Sequence, residues 1–98
     1  MDSHDAPHGK AMALVSIGWA QAKLGQRVEA RDSFRHALAF LRVLGDRKSL
    51  AEALHGLGET SVGQPDVART HLLEALTIYE DYDHPLTPEV RARLHELA

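Results

Sequence analysis

The sequence predicts an all-α protein in which antiparallel helix-turn-helix units stack as a short solenoid and a C-terminal helix closes the array. Two observations lead there. The stretch from Gly18 to Leu38 recurs downstream: Gly18 and Gly56, Gly25 and Gly63, Gln26 and Gln64, Ala30 and Ala68, Arg31 and Arg69, Ala37 and Ala75, and Leu38 and Leu76 all differ by 38. A fixed offset of this size marks a supersecondary unit that buries its apolar face by stacking on its neighbour. Between the glycines, apolar residues return at helical spacing, as in Val28, Ala30, Phe34, Ala37, Leu38, Leu41 and Leu44.

The elements follow in order. Residues 1–9 are polar, carry Pro7 and Gly9, and read as a flexible lead-in, with Asp5 before Ala6-Pro7 suited to capping a helix start. Unit 1 spans residues 10–46. Its first helix, from about Lys10 to Leu24, has two apolar stripes, Leu14, Ile17 and Leu24 on one and Met12, Val15, Trp19 and Ala22 on the other, so it should be packed on two sides. Gly25-Gln26 turns the chain into a second helix, about Arg27 to Leu44, which Gly45 ends. Unit 2 spans residues 47–84. Asp46 can cap its first helix, about Lys48 to Val62, where Gly56 and Gly58 each cost about 1 kcal/mol against alanine. Close helix contact explains such glycines better than helix propensity does. Pro65 opens the fourth helix, about Pro65 to Tyr82, and the cluster Asp81-Tyr82-Asp83-His84-Pro85 breaks it. Residues 87–98 read as a fifth, capping helix: Thr87 can cap, Pro88 fits the first turn, and Val90, Leu94 and Leu97 form one apolar stripe.

Small residues at Gly18, Ala30 and Ala37, and again at Gly56, Ala68 and Ala75, let two antiparallel helices approach, while Phe34 and Leu72 fill the space beside them. In this pattern, over roughly residues 11 to 82, the chain resembles a tetratricopeptide (TPR) repeat, which implies a right-handed superhelix of helical hairpins. The period of 38 exceeds the usual ~34 by about one helical turn. Glu52 stands where the family places an aromatic residue, and Leu57-Gly58 suits the family pattern better than His55-Gly56, which leaves two registers for the third helix. The connector Leu44-Gly45-Asp46-Arg47, and the tail after His84-Pro85, resemble the longer TPR units and the C-terminus of bacterial signal-transduction ATPases and antibiotic-pathway transcriptional regulators. That likeness implies the C-terminal piece of a longer regulator, or a small relative of one.

Composition narrows the function. Eleven Lys and Arg against fourteen Asp and Glu give a net charge of -3 with no basic stripe, so no nucleic acid is expected to bind this chain. The absence of cysteine removes disulfides, thiolate catalysis and cysteine zinc sites. No apolar run approaches the ~20 residues of a membrane span, and the chain reads as soluble and cytoplasmic. Seven histidines raise a metal site, but His4 and His8 straddle Pro7, and His36, His55, His71, His84 and His95 show no ligand spacing, so they read as surface imidazoles. Glu52, His55 and Glu59 share a helix face; without a nucleophile or phosphate loop they do not make an active site. No catalytic residue, cofactor or metal is expected.

The resemblance also implies an inner groove that holds protein. By spacing, its lining is Met12, Val15, Ser16, Trp19 and Lys23 from the first helix and Leu50, Ala53, Leu54, Leu57 and Ser61 from the third. The chaperone-adaptor members clamp a carboxylate with basic and amide side chains at positions that here are Val15, Trp19, Ala53 and Leu57. An apolar groove instead implies an amphipathic helix or peptide, or an adjacent domain of a longer chain. Trp19 is either an exposed anchor or inter-repeat packing. Uncovered repeat ends also allow a homodimer.

Overall fold

The computed structural model describes residues 6–97, which form five α-helices: α1 Ala6–Lys23, α2 Arg27–Leu44, α3 Arg47–Thr60, α4 Pro65–Asp81 and α5 Thr87–Glu96. No strand occurs among the described residues. α1 and α2 make one antiparallel hairpin, α3 and α4 the next, and α5 packs against α4.

Helix ends follow local chemistry. Gly45 takes φ 74°, and its N–H reaches the Leu41 carbonyl at 3.0 Å, so the last turn of α2 closes in the left-handed region open to glycine. The next residue, Asp46, accepts from the Ser49 N–H at 3.1 Å and caps α3. Both hairpin turns likewise place glycine at positive φ, Gly25 at 80° and Gly63 at 84°. Two expectations shift. α1 starts at Ala6 rather than near Lys10, because Pro7 falls in a first turn that needs no proline N–H, so the lead-in stops short of residue 9; a cap by Asp5 lies outside the described residues. Thr87 is already helical, and its hydroxyl donates to the His84 carbonyl at 2.7 Å, fastening the preceding turn rather than capping α5.

Close packing of the helices depends on three glycines. A Cβ built on Gly18 would stand 2.7 Å from the Phe34 ring, and one on Gly56 would stand 2.3 Å from it, so Phe34 lies between α1 and α3. A Cβ on Gly58 would meet Leu72 at 2.4 Å. Within the hairpins, therefore, Gly58 and not Gly56 is the counterpart of Gly18, at an offset of 58 − 18 = 40, while Phe34 and Leu72 remain 38 apart. The two-residue difference is absorbed before the turn, since Gly58 precedes Gly63 by five residues whereas Gly18 precedes Gly25 by seven.

The core runs as linked clusters along the stack. Ala11, Val15, Ala37, Leu41 and Ala53 join α1, α2 and α3, and Ala30, Phe34 and Leu57 continue them. Ala51, Leu54, Leu72, Ala75, Ile78, Tyr79 and Val90 join α3, α4 and α5. The repeat positions Gly18, Ala30, Phe34, Ala37, Gly56, Ala68, Leu72 and Ala75 are all buried. Exposed ion pairs tie neighbouring elements, Arg42 to Glu74 at 3.1 Å, Arg47 to Asp81 at 2.9 Å and Arg91 to Glu80 at 2.7 Å. Such pairs each contribute under about 1 kcal/mol, so the apolar clusters and not these links hold the stack.

Candidate protein-interaction surfaces

Half of the expected groove is not a surface. Val15, Ala53, Leu54, Leu57 and Ser61 are each at most 3% exposed, because α3 has α1 and α2 on one side, α4 on another and α5 near its C-terminal end. Little of its circumference is left for a ligand. Ser61 donates its hydroxyl to the Leu57 carbonyl at 2.6 Å. Met12 and Leu50 are half-buried, and Met12 Sδ accepts from the Ser49 hydroxyl at 3.0 Å. Ser16 and Lys23 are exposed. Trp19 is half-buried and meets Phe34 and His55 edge-on, each at 5.2 Å between ring centres.

What remains open near the inner face is a cavity of about 360 Å³ between the C-terminal ends of α1 and α3 and the start of α5. Its lining includes Trp19 and Ala22, the carboxylates Glu59 and Glu89, and the cations Lys23 and Arg27. Behind the carboxylates lies His55, wholly buried. Its Nδ1 is 3.1 Å from the Tyr79 hydroxyl, and its Nε2, with no hydrogen-bond partner, is 3.7 Å from Glu59 and 3.9 Å from Glu89. Two carboxylates facing Nε2 favour the tautomer protonated there, with the tyrosine donating to Nδ1. Burial pushes the Tyr79 hydroxyl well above its ordinary range, which keeps it a donor.

The acidic residues of α3 are driven in opposite directions. The neighbouring His55 and the Arg93 guanidinium, 3.0 Å away, hold Glu59 below the usual carboxylate range against the opposing effect of burial. Burial pushes Glu52 up, and its nearest cationic candidate is His84 at 3.9 Å. His84 itself stacks on Tyr79, with ring centres 3.9 Å apart and planes 7° from parallel. His55 and His84 are therefore internal rather than surface imidazoles. In the sequence, only the i, i+4 placement of His55 and Glu59 hinted at this. His8 does sit at the surface, 2.9 Å from Asp46. No group of three metal-ligating side chains occurs among the described residues, and no helix among them is long and apolar enough to cross a membrane.

The sequence profile of the tetratricopeptide repeat family matches residues 11–81, the span of the two hairpins. The chain belongs to the TPR family. Comparisons with curated proteins and with solved structures returned no match. TPR repeats are a non-catalytic fold that mediates protein–protein interaction. Which surface of this TPR pair is available is visible when the two hairpins are laid over each other at the offset of 40. Ala13, Ser16, Ile17 and Ala20 of α1 then correspond to Ala53, Gly56, Leu57 and Thr60 of α3, all buried against the preceding hairpin. On α1 the same face is open: Ile17 is 46% exposed where Leu57 is 1% exposed. Leu24 and Val28, on either side of the turn that follows α1, are exposed as well.

Proposed function

We propose that this chain is a non-catalytic protein-interaction module whose outer α1 face receives a helical hairpin, and that it serves as the TPR sensor or regulatory part of a cytoplasmic bacterial transcriptional regulator. The contrast between Ile17 and Leu57 carries the reading. Small residues at Ala13, Ser16 and Ala20 stand where Ala53, Gly56 and Thr60 meet the preceding hairpin, so a second helix pair can approach α1, less closely at Ser16 than at Gly56 because serine carries a Cβ. The occupant in this reading is an adjacent repeat or domain of a longer chain. The Gly45-Asp46-Arg47 connector and the terminal helix, which resemble those of such regulators, support that context.

A homodimer is the second reading, and one observation favours it. α5 covers the far end of the stack with Val90, Leu94 and Leu97, leaving α1 as the open end, and two such ends can close on each other by a two-fold axis. Sedimentation equilibrium over a wide concentration range, on the parent chain and on Ile17→Glu, separates the outcomes. A folded monomer in both forms supports the module reading. A dimer that Ile17→Glu converts to monomer supports self-association through α1. A dimer indifferent to Ile17→Glu places self-association on another face and rules out the two-fold contact through α1.

A further inference from the structure

We propose that the cavity between Trp19 and Glu89 is a subsite for one basic side chain, an arginine or lysine, presented by a partner peptide. The site is separate from the outer face of α1 and stands whether or not that face is an interface.

Two carboxylates converge there on a single atom: Glu59 and Glu89 each lie within 4 Å of His55 Nε2, a wholly buried nitrogen that makes no hydrogen bond. Such an imidazole directs its polar edge at the pair and fixes where their charge is concentrated. Glu59 is already matched, since Arg93 Nε lies 3.1 Å from both of its oxygens. Among the described residues Glu89 has no comparable cation; it faces His55 at 3.9 Å, and its side chain is 61% exposed. The unmatched acceptor thus lines a space that Trp19 also lines. A guanidinium or ammonium placed there donates a charge-assisted hydrogen bond to the carboxylate and makes a cation–π contact with the indole. The cavity, about 360 Å³, also has room for the apolar stem of the side chain against Ala22. Lys23 and Arg27, which also line the cavity, set the second half of the specificity. They repel a run of basic residues, so the fitting occupant is an isolated cation with neutral or acidic neighbours, not a polybasic tail.

Trp19 is the only tryptophan in the sequence, so its emission reports directly on the site. The probe is a blocked peptide, acetyl-Gly-Gly-Arg-Gly-Gly-amide, titrated against the full chain beside the same peptide with the neutral isostere citrulline. We expect a saturable change in Trp19 emission with the arginine peptide, and binding of the citrulline peptide weaker by about tenfold or more. Glu89→Gln, with unchanged circular dichroism, weakens the arginine peptide by about fivefold or more, while Lys23→Gln leaves it equal or tighter. The proposal fails if citrulline binds as well as arginine, if Glu89→Gln binds like the parent, or if millimolar peptide leaves Trp19 unchanged. In Ile17→Glu the arginine peptide binds as to the parent, whatever that variant does to the oligomer.

Discussion

α1 and α3 open the two hairpins and do the same structural work, yet they differ in how many neighbours approach them closely. α1 has one close-approach glycine, Gly18, and one helix against it there, α2 through Phe34. α3 has two, Gly56 toward Phe34 of α2 and Gly58 toward Leu72 of α4. In this protein the close-approach glycines of a hairpin's first helix therefore count its packed sides. At Gly18, Gly56 and Gly58 the cost of a glycine in a helix, about 1 kcal/mol, is offset because a neighbouring side chain occupies the space a Cβ would fill, whereas Gly9, in the first turns of α1, has nothing beside it. On that logic Ser16, the counterpart of Gly56, is a position kept small on a face that is open in the isolated chain.

The strongest way to break this comparison is through Phe34. It is wholly buried and fills space beside two glycines, whereas Leu72 faces one, so Phe34→Ala should cost about 3–5 kcal/mol and exceed Leu72→Ala in chemical denaturation. An equal cost would mean that the contact between hairpins contributes little. Alanine at the glycines sharpens the same point. Gly56→Ala and Gly58→Ala should each lower stability by about 1–3 kcal/mol, since a methyl at either site stands within 2.5 Å of a side chain. Ser16→Ala, by contrast, should stay within about 0.5 kcal/mol, as it touches no covering hairpin. If Gly56→Ala left the melting temperature unchanged, Phe34 would have slack and the counting of sides would not hold.

The two carboxylates of α3 give the smallest and most condition-dependent contrast. Glu59 has its folded pKa lowered from 4.5, so its contribution is fully present above that value and is lost as pH falls through the lower, folded one. Glu52 is raised from the same 4.5, so its ionisation weakens the fold as pH rises through its higher, folded value. Glu59→Gln should then cost about 1–2 kcal/mol at pH 7 and progressively less below pH 4, while Glu52→Gln should be neutral or slightly stabilising at pH 7, since solvent screens its partly exposed carboxylate. Urea melts at both pH values measure the difference, and variants that behaved alike would refute the assignment of their surroundings.

The comparison also marks how far the sequence could be read. Helical period, turn glycines and the 38-residue offset were sufficient for the hairpin architecture, because these signals are local and repeated. The register of α3 was not settled by them. Gly56 and Gly58 both look like repeat glycines, and only the position of Phe34 between two helices tells which neighbour each admits. The groove suffered from the same ambiguity: family spacing placed Ala53 and Leu57 on an open face that α1 and α2 in fact bury. His55 was harder still. Nothing in its immediate sequence announces that Trp19, Tyr79 and Glu89, from three other helices, surround it, since burial of a polar ring is decided by partners distant along the chain.

Each helix here packs chiefly on its neighbours in the chain, from α1 on α2 through to α4 on α5. Seen as kinetics, this shortens the search: the ends that must meet are seldom separated by more than one repeat, and loop closure of that length is inexpensive. Either hairpin can zip first and serve as the template on which the other condenses. An error in one turn then delays its own hairpin and leaves its neighbour free to fold.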